Sequence, residues 1–298
     1  MALVTVVVGL AAMALALVPF ALRHPRPTLP DIAPGTTTVW AIPLDGATPH
    51  AVAELKGQYD YPVPSADGSS LLMTKSTLLG KTGIWSVRRG GGDPRWIGRA
   101  PSNGMPSWSP DRTRLVVSDW RAQTNFVAIY DTTGHRLRTL TTHTGEGGTS
   151  SPSWGGHNVA FVRMSRPRSG YRLDVEVWHA RGGRAWSRQI AFPDGSVALA
   201  PDGQRLALLQ VHRLQLFTRH TRRVLATDAG GYGLPVWTPD GRSLLYFDRK
   251  NRLVRQNVAT RARRVLATGH IGYPSMSPDG RTVYVVGFAP KAAVSIPK

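Results

Sequence analysis

The chain offers few residues that could form a catalytic centre. It has no cysteine, nine histidines and only three glutamates, which excludes thiolate chemistry and Cys-ligated zinc and disfavours a paired-carboxylate hydrolase. It contains no Gly-x-Ser-x-Gly elbow, His-Glu-x-x-His motif or P-loop. His143 and His270 lie in loops that could approach a central axis, as a lyase with histidines at its centre would require. We predict no catalytic residue, metal site or cofactor, and keep a lyase or hydrolase as an alternative function.

A binding site is better sought in five glycine-rich loops that each lead into a strand. These loops combine flexible backbone with amphipathic side chains, a composition that suits ligand recognition. We expect them to converge at the mouth of a central funnel. The predicted ligand-binding residues are Tyr59, Tyr61, Asn103, Met105, Tyr232, His270 and Tyr273.

Each of these loops precedes a copy of one repeated phrase. Pro-Ser-Met-Ser-Pro-Asp-Gly at 274–280 matches Pro-Val-Trp-Thr-Pro-Asp-Gly at 235–241, and looser copies recur at a period of about 38 to 46 residues. Proline presets a type I turn, aspartate suits the next position, and glycine takes the left-handed conformation that closes the hairpin. Arg112 replaces this glycine in one copy, which predicts strain or a different turn there. The turn aspartates are Asp67, Asp111, Asp202, Asp240 and Asp279.

The phrase and the segment after it predict two successive hairpins per repeat, which we call A–B and C–D. There are six copies of each, but the chain begins with a C–D hairpin at 38–55 and ends with an A–B hairpin at 273–286. We infer that these two hairpins complete one blade and close a ring, which leaves only short edges exposed. The predicted fold is an all-β, six-bladed β-propeller of four-stranded antiparallel blades. Trp108, Trp154 and Trp237 share one repeat position and are expected to pack between blades.

The phrase Pro-x-Trp-Ser-Pro-Asp-Gly, followed by an apolar strand, resembles the TolB-like, WD40-like (PD40-type) propeller repeat over about residues 36 to 286. It departs from that pattern at the shortened Trp154 turn, at Arg112, and at Pro64 and Leu199, which stand in place of tryptophan. The resemblance is specific for the repeat and poor for function. It implies a propeller that works as a binding or scaffold module.

The amino-terminal residues form an apolar segment of membrane-spanning length. From Ala2 to Leu22 there are 21 residues without a charge. We predict a transmembrane anchor or signal segment at 1–22, with an uncleaved anchor preferred, a Pro-rich linker at 23–35 and the propeller at 36–298. Arg23 and Arg26 would favour a cytoplasmic propeller by the positive-inside rule, whereas the lack of cysteine suits export. We expect a membrane-anchored or secreted propeller outside the cytoplasm, with the cytoplasmic side as the alternative.

The charge balance is strongly basic, with a formal net charge of +19. Arginines at 219, 222 and 223 and at 261, 263 and 264 fall on two outer hairpins, where they protect strand edges or meet an anionic surface. The predicted function is a non-enzymatic, membrane-tethered binding or scaffold module. Its partner is a protein or small ligand at the funnel, nucleic acid is not expected, and the propeller is a monomer. Binding of anionic lipid or cell-wall polymer is a second alternative.

Overall fold

The computed structural model describes residues 28–29, 35–76, 82–100, 106–121, 124–144, 147–167, 170–191, 195–230 and 233–288. Their strands form six antiparallel sheets, which we number as blades 1 to 6. The predicted all-β, six-bladed propeller is therefore confirmed. Each blade has four strand positions, A to D, with A at the central axis. In blade 5 the A position is divided between two short strands.

The strands of each blade follow one another along the chain, except in blade 6. Blade 1 contains β3 (Tyr59–Pro64), β4 (Ser70–Ser76), β5 (Thr82–Arg88) and β6 (Arg95–Ala100). Blade 2 contains β7 (Ser107–Trp108), β8 (Arg114–Arg121), β9 (Thr124–Asp131) and β10 (Arg136–Thr144). Blade 3 contains β11 (Gly147–Gly155), β12 (Asn158–Ser165), β13 (Arg172–His179) and β14 (Arg184–Ile190). Blade 4 contains β15 (Gly195–Leu199), β16 (Leu206–Gln210), β17 (Arg213–Phe217) and β18 (Arg222–Ala226). Blade 5 contains β19 (Ala229–Gly230), β20 (Val236–Trp237), β21 (Ser243–Asp248), β22 (Leu253–Asn257) and β23 (Arg263–Ala267). Blade 6 contains β24 (Ile271–Met276), β25 (Thr282–Gly287), β1 (Thr36–Pro43) and β2 (His50–Lys56).

Blade 6 joins the two ends of the described chain. Strand β1 pairs with β25 from Thr38 opposite Gly287 to Pro43 opposite Thr282, and β2 pairs with β1 as the outer strand. The predicted closure, in which the first C–D hairpin completes the last blade, is therefore confirmed. Six backbone-paired positions hold the ring shut, and no strand edge is left at the junction.

The apolar runs that follow each Pro-Asp-Gly turn become B strands buried on both faces. All six residues of β21 are buried, as are the first four of β16. This pattern arises because neighbouring blades stack on the two faces of each sheet. Trp237 shows the packing directly, since it is 6% exposed and its indole N–H donates to the Ala198 carbonyl oxygen of blade 4 at 2.9 Å.

Outer-strand arginines link one blade to the next through backbone carbonyl groups. The guanidinium of Arg138 in blade 2 donates to the carbonyl oxygen of Arg181 in blade 3 at 2.7 Å. The same kind of bond connects Arg188 to the Arg219 carbonyl oxygen at 3.1 Å and Arg223 to the Val258 carbonyl oxygen at 3.0 Å. Part of the basic composition therefore fastens neighbouring blades together, in addition to any role at strand edges.

Part of the predicted linker contacts the propeller. Thr28 forms a parallel bridge with Thr268, the Leu29 amide donates to the Thr268 carbonyl oxygen at 3.0 Å, and the Leu29 side chain is 5% exposed. A Cβ at Gly269 would lie 3.1 Å from the Leu29 carbonyl oxygen, so glycine permits this close approach. The predicted anchor at 1–22 lies outside the described residues, and within the described ranges no helix is long and apolar enough to cross a membrane.

Candidate functional site

The six A strands enclose a cavity of about 400 Å³ on the propeller axis. Its walls come from the repeated phrase itself. The first prolines of the phrase line the cavity: Pro106, Pro152, Pro235 and Pro274. The residues at the tryptophan position also line it: Trp108, Trp154, Trp237 and Met276. The prolines of the A–B turns complete the lining: Pro110, Pro201, Pro239 and Pro278. The phrase therefore builds both the turns and an apolar axial cavity, whose volume falls in the range of small-ligand sites.

Two tyrosines of neighbouring blades meet where the A strands begin. Tyr61 of blade 1 and Tyr273 of blade 6 line the cavity, and their ring centroids are 4.1 Å apart at 48°. Both have left-handed backbone, with φ of 56° and 52°. A non-glycine residue held in this conformation costs about 1–3 kcal/mol. Such strain persists only where the surrounding structure fixes it, and it is concentrated at functional sites.

A β-bulge in blade 1 and another in blade 6 produce the left-handed conformation of the two tyrosines. Asp60 pairs with Thr74 and Val63 with Leu72, so Tyr61 and the proline after it face a single residue of β4. The same two-against-one arrangement places Tyr273 and its following proline opposite one residue of β25. Proline has no N–H to leave unpaired, so a Tyr-Pro pair suits a bulge. The two bulges turn both tyrosine rings toward one place on the axis.

The Tyr61 region also contains a carboxyl group with a perturbed pKa. Burial raises the pKa of Asp60 to about 6, against a smaller opposing effect of a hydrogen bond from Gln58. One buried oxygen of Asp60 has no hydrogen-bond partner. Burial, followed by the proximity of Tyr273, raises the pKa of the Tyr61 phenol well above its usual value. In both groups burial shifts the equilibrium toward the neutral form, as expected where the access of water is reduced.

Among the described residues that line the cavity, Arg112 carries the one charge. This residue keeps the turn of the other repeats, because its amide donates to the Ser109 carbonyl oxygen at 2.8 Å, and its φ is 55°. The expected strain is therefore present, while a different turn is not. The side chain crosses to two other blades and donates to the Pro64 carbonyl oxygen at 2.5 Å and to that of Met276 at 3.2 Å.

Comparisons with known proteins bear on the fold. No protein-family model matches the chain, and neither does any curated protein. Among solved structures, TolB from Acinetobacter baumannii aligns with a TM-score of 0.51 and 17% identity, covering 85% of this chain and 63% of that one. The chain has a TolB-like β-propeller fold. The β-propeller domain of Cps50 (Swd1) from Myceliophteria thermophila aligns with a TM-score of 0.48 and 18% identity, over 66% of this chain and 68% of that one.

The TolB-like propeller places the predicted ligand-binding residues in different surroundings. Tyr61 and Tyr273 come together at the cavity, within strands β3 and β24 where loops had been expected. Tyr59 is 3% exposed and packs against Trp85, so it belongs to the core of blade 1. His270 is exposed and is not among the residues that line the cavity. Asn103, Met105 and Tyr232 lie outside the described residues.

All five turn aspartates of the TolB-like propeller accept hydrogen bonds within their own turns. Asp240 is typical, since it accepts from the Thr238 hydroxyl at 2.6 Å and from the Arg242 amide at 2.9 Å. The other four make equivalent bonds: Asp67, Asp111, Asp202 and Asp279. Within the described ranges, no three His, Asp or Glu side chains are grouped as metal ligands would be.

Two features of the site were not found by sequence reasoning. Asp60 was missed, because nothing local distinguishes a buried aspartate from an exposed one in a polar segment. Arg112 was noted only as a departure from the turn pattern, and its place on the axis was not foreseen. The usable signal was the departure itself, because an arginine at a left-handed position retains a strain that glycine would remove.

Proposed function

We propose that this chain is a non-enzymatic binding or scaffold propeller whose partner inserts a short segment into the axial cavity past Tyr61 and Tyr273. The close contact between two left-handed tyrosines at the cavity wall is the observation that carries this proposal. Tyrosine offers a large apolar face and a polar tip, so it binds peptide or small ligands with little loss of side-chain freedom. The strain supports a binding role, because two left-handed tyrosines in adjacent bulges both line the axial cavity, although Tyr273 also packs against Phe288 and the core.

The experiment places a photo-crosslinking amino acid at position 273 of the full chain and identifies what it captures in cells. The captured partner is then tested for binding to Tyr61→Ala and Tyr273→Ala. We expect at least about tenfold weaker binding, since cavity-lining aromatic residues are typical hot spots. Tyr171→Ala is the matched control, because that tyrosine is 57% exposed and is not among the residues that line the cavity. Equal binding by all three variants would contradict the proposal.

We further propose that the propeller is tethered to a membrane, outside the cytoplasm, by the segment 2–22. The 21 uncharged residues of this segment support the tether. The bridge between Thr28 and Thr268 supports a short connection between that segment and the propeller. Protease added to intact cells should digest the propeller, and carbonate washing should leave the full chain in the membrane fraction. Full protection from external protease would place the propeller in the cytoplasm instead.

A further inference from the structure

The guanidinium of Arg112 lacks a counter-charge. Two of its five N–H donors are accounted for by the carbonyl oxygens of Pro64 and Met276. It forms no ion pair with any carboxylate of the described residues, and the described lining of the cavity contains no other charged side chain. Carbonyl groups orient a guanidinium but leave its charge in place. Other arginines that are largely buried differ in this respect.

Arg252 and Arg163 show the usual arrangement. Arg252 meets the carboxylate of Asp248 at 2.6 Å, and Arg163 meets that of Glu176 at 3.3 Å. The outer arginines that bind only carbonyl groups, such as Arg223, have exposed side chains. Their charge is solvated by water and screened by salt. Arg112 combines the carbonyl-only partners of the outer arginines with a half-buried position on the axis. A buried charge without a partner is costly, so its retention at a strained position calls for a ligand.

The cavity restricts what that ligand can be. Its described lining consists of proline, tryptophan, tyrosine and aliphatic residues with a few serines. Two of the serines accept hydrogen bonds between blades: the Ser107 hydroxyl accepts from the Trp154 amide at 3.0 Å, and the Ser153 hydroxyl from the Leu199 amide at 2.8 Å. A third, Ser109, bonds within its own turn. One cation in apolar walls matches one negative charge on an apolar group. A phosphate dianion would need additional donors.

The dimensions favour an extended peptide end. Tyr273 and Met276 are three residues apart in β24, a separation of at most about 10 Å along a strand, because the bulge at Tyr273 shortens it. An extended segment of three or four residues therefore reaches from the tyrosine pair to the guanidinium. A cavity of about 400 Å³ admits such a segment and excludes a folded element.

We propose that Arg112 binds the terminal carboxylate of a peptide whose last residues are apolar and fill the axial cavity. This proposal rests on the proposed function, because the peptide end is the partner segment that passes Tyr61 and Tyr273. The guanidinium donates its free N–H groups to the two carboxylate oxygens, and the carbonyl groups of Pro64 and Met276 hold it on the axis.

The test uses an array of hexapeptides with apolar last residues and free carboxyl ends, and a matched array with amidated ends. We expect the full chain to bind a subset of the free acids, and the corresponding amides at least about tenfold more weakly, because a charge-assisted bond is lost. Arg112→Gln should bind the free acids about tenfold more weakly than the unaltered chain does, and should bind acids and amides equally. Arg223→Gln removes an arginine–carbonyl bond on an outer strand and should retain the preference for free acids. Circular dichroism confirms that each variant is folded.

Three outcomes would overturn the assignment: no binding to any free acid at millimolar concentration, equal binding of acids and amides by the unaltered chain, or binding that follows internal Asp or Glu residues. The tyrosine variants separate this inference from the proposed function. If Tyr61→Ala and Tyr273→Ala weaken partner binding while Arg112→Gln does not, the carboxylate site is wrong and the proposed function stands. If only Arg112→Gln matters, the carboxylate site stands and the tyrosine pair is not the entrance.

Discussion

The A–B turns of blades 4, 5 and 6 and the corresponding turn of blade 2 use the same backbone with different residues. Gly203, Gly241 and Gly280 have φ of 70°, 63° and 70°, and Arg112 has φ of 55°. In the three regular turns the glycine lies against the preceding blade. A Cβ would be 2.7 Å from the Gly155 carbonyl oxygen at position 203 and 3.0 Å from the Pro239 ring at position 280. Positions 203 and 280 therefore need glycine both for its φ and for space, whereas a Cβ at Gly241 would meet only the flexible side chain of Arg205 within 3 Å.

The chain departs from this pattern at two adjacent turns. Ala66 of blade 1 stands where the turns of blades 4, 5 and 6 have Pro201, Pro239 and Pro278, and Arg112 of blade 2 stands where they have glycine. The side chain of Arg112 reaches the axis, where it donates to carbonyl oxygens of blades 1 and 6. Positions that follow the repeat serve the fold, and paired departures from it mark the candidate site.

Adding a methyl group to a regular turn should give the largest effect on stability. We expect Gly203→Ala to lower the free energy of unfolding by about 2–4 kcal/mol, because the Cβ meets a backbone oxygen and the residue keeps a left-handed φ. Urea denaturation of the full chain measures the change. Gly90→Ala is the control, since the φ of Gly90 is 92° but nothing lies within 4 Å of the added Cβ. This variant should lose only the stability that the left-handed backbone costs an alanine. Equal losses would show that crowding does not distinguish the regular turns.

Neutralising Asp60 should stabilise the chain in a pH-dependent way. Its folded-state pKa of about 6 exceeds the ordinary value of 3.8, so the protonated carboxyl stabilises the fold fully below about pH 3.8, and this contribution is lost as the pH rises through about 6. We expect Asp60→Asn to raise the free energy of unfolding by about 1 kcal/mol at pH 8, after allowance for solvent screening of a partly exposed group, and to have little effect at pH 4. Urea midpoints at the two pH values test this.

The regular turn aspartates should respond to acid in the opposite direction. The Thr238 hydroxyl bond lowers the pKa of Asp240 most, so the stability that this carboxylate adds is present above about pH 3.8 and is lost as the pH falls through the lowered pKa. We expect Asp240→Ala to lower the free energy of unfolding by about 1 kcal/mol at pH 7, the typical value of a hydrogen bond in such a turn. Once the pH has fallen below the lowered pKa, the two chains should converge. A deficit that is independent of pH would indicate that the charge of Asp240 contributes nothing, and no deficit at all would indicate that backbone bonds alone hold the turn.

The fold was accessible from sequence because its determinants are local and repeated. A proline presets each turn, an aspartate bonds residues two positions away, and an apolar run follows, so each hairpin could be located and counted. Even the ring closure followed from an unpaired hairpin at each end. The site depended on distant contacts: Arg112 meets carbonyl groups 48 and 164 residues away, and neither partner can be inferred from neighbouring residues. The prolines and tryptophans of the phrase were assigned to turns and core, because the repeat alone does not show that the same positions also line the axis.

Restoring the consensus glycine in blade 2 gives the smallest expected change in stability and the sharpest test of the comparison. Arg112→Gly relieves the strain of a left-handed arginine, about 1–3 kcal/mol, and removes bonds to two carbonyl oxygens that contribute a similar amount. We therefore expect the free energy of unfolding, measured by urea denaturation, to change by less than about 1 kcal/mol. The preference for free carboxyl ends should disappear. A loss above about 2 kcal/mol would instead make Arg112 a fastener of blades 1, 2 and 6. Gly203, Gly241 and Gly280 meet the backbone requirement of the other turns without strain, so an arginine that stability does not require is better explained by what it binds.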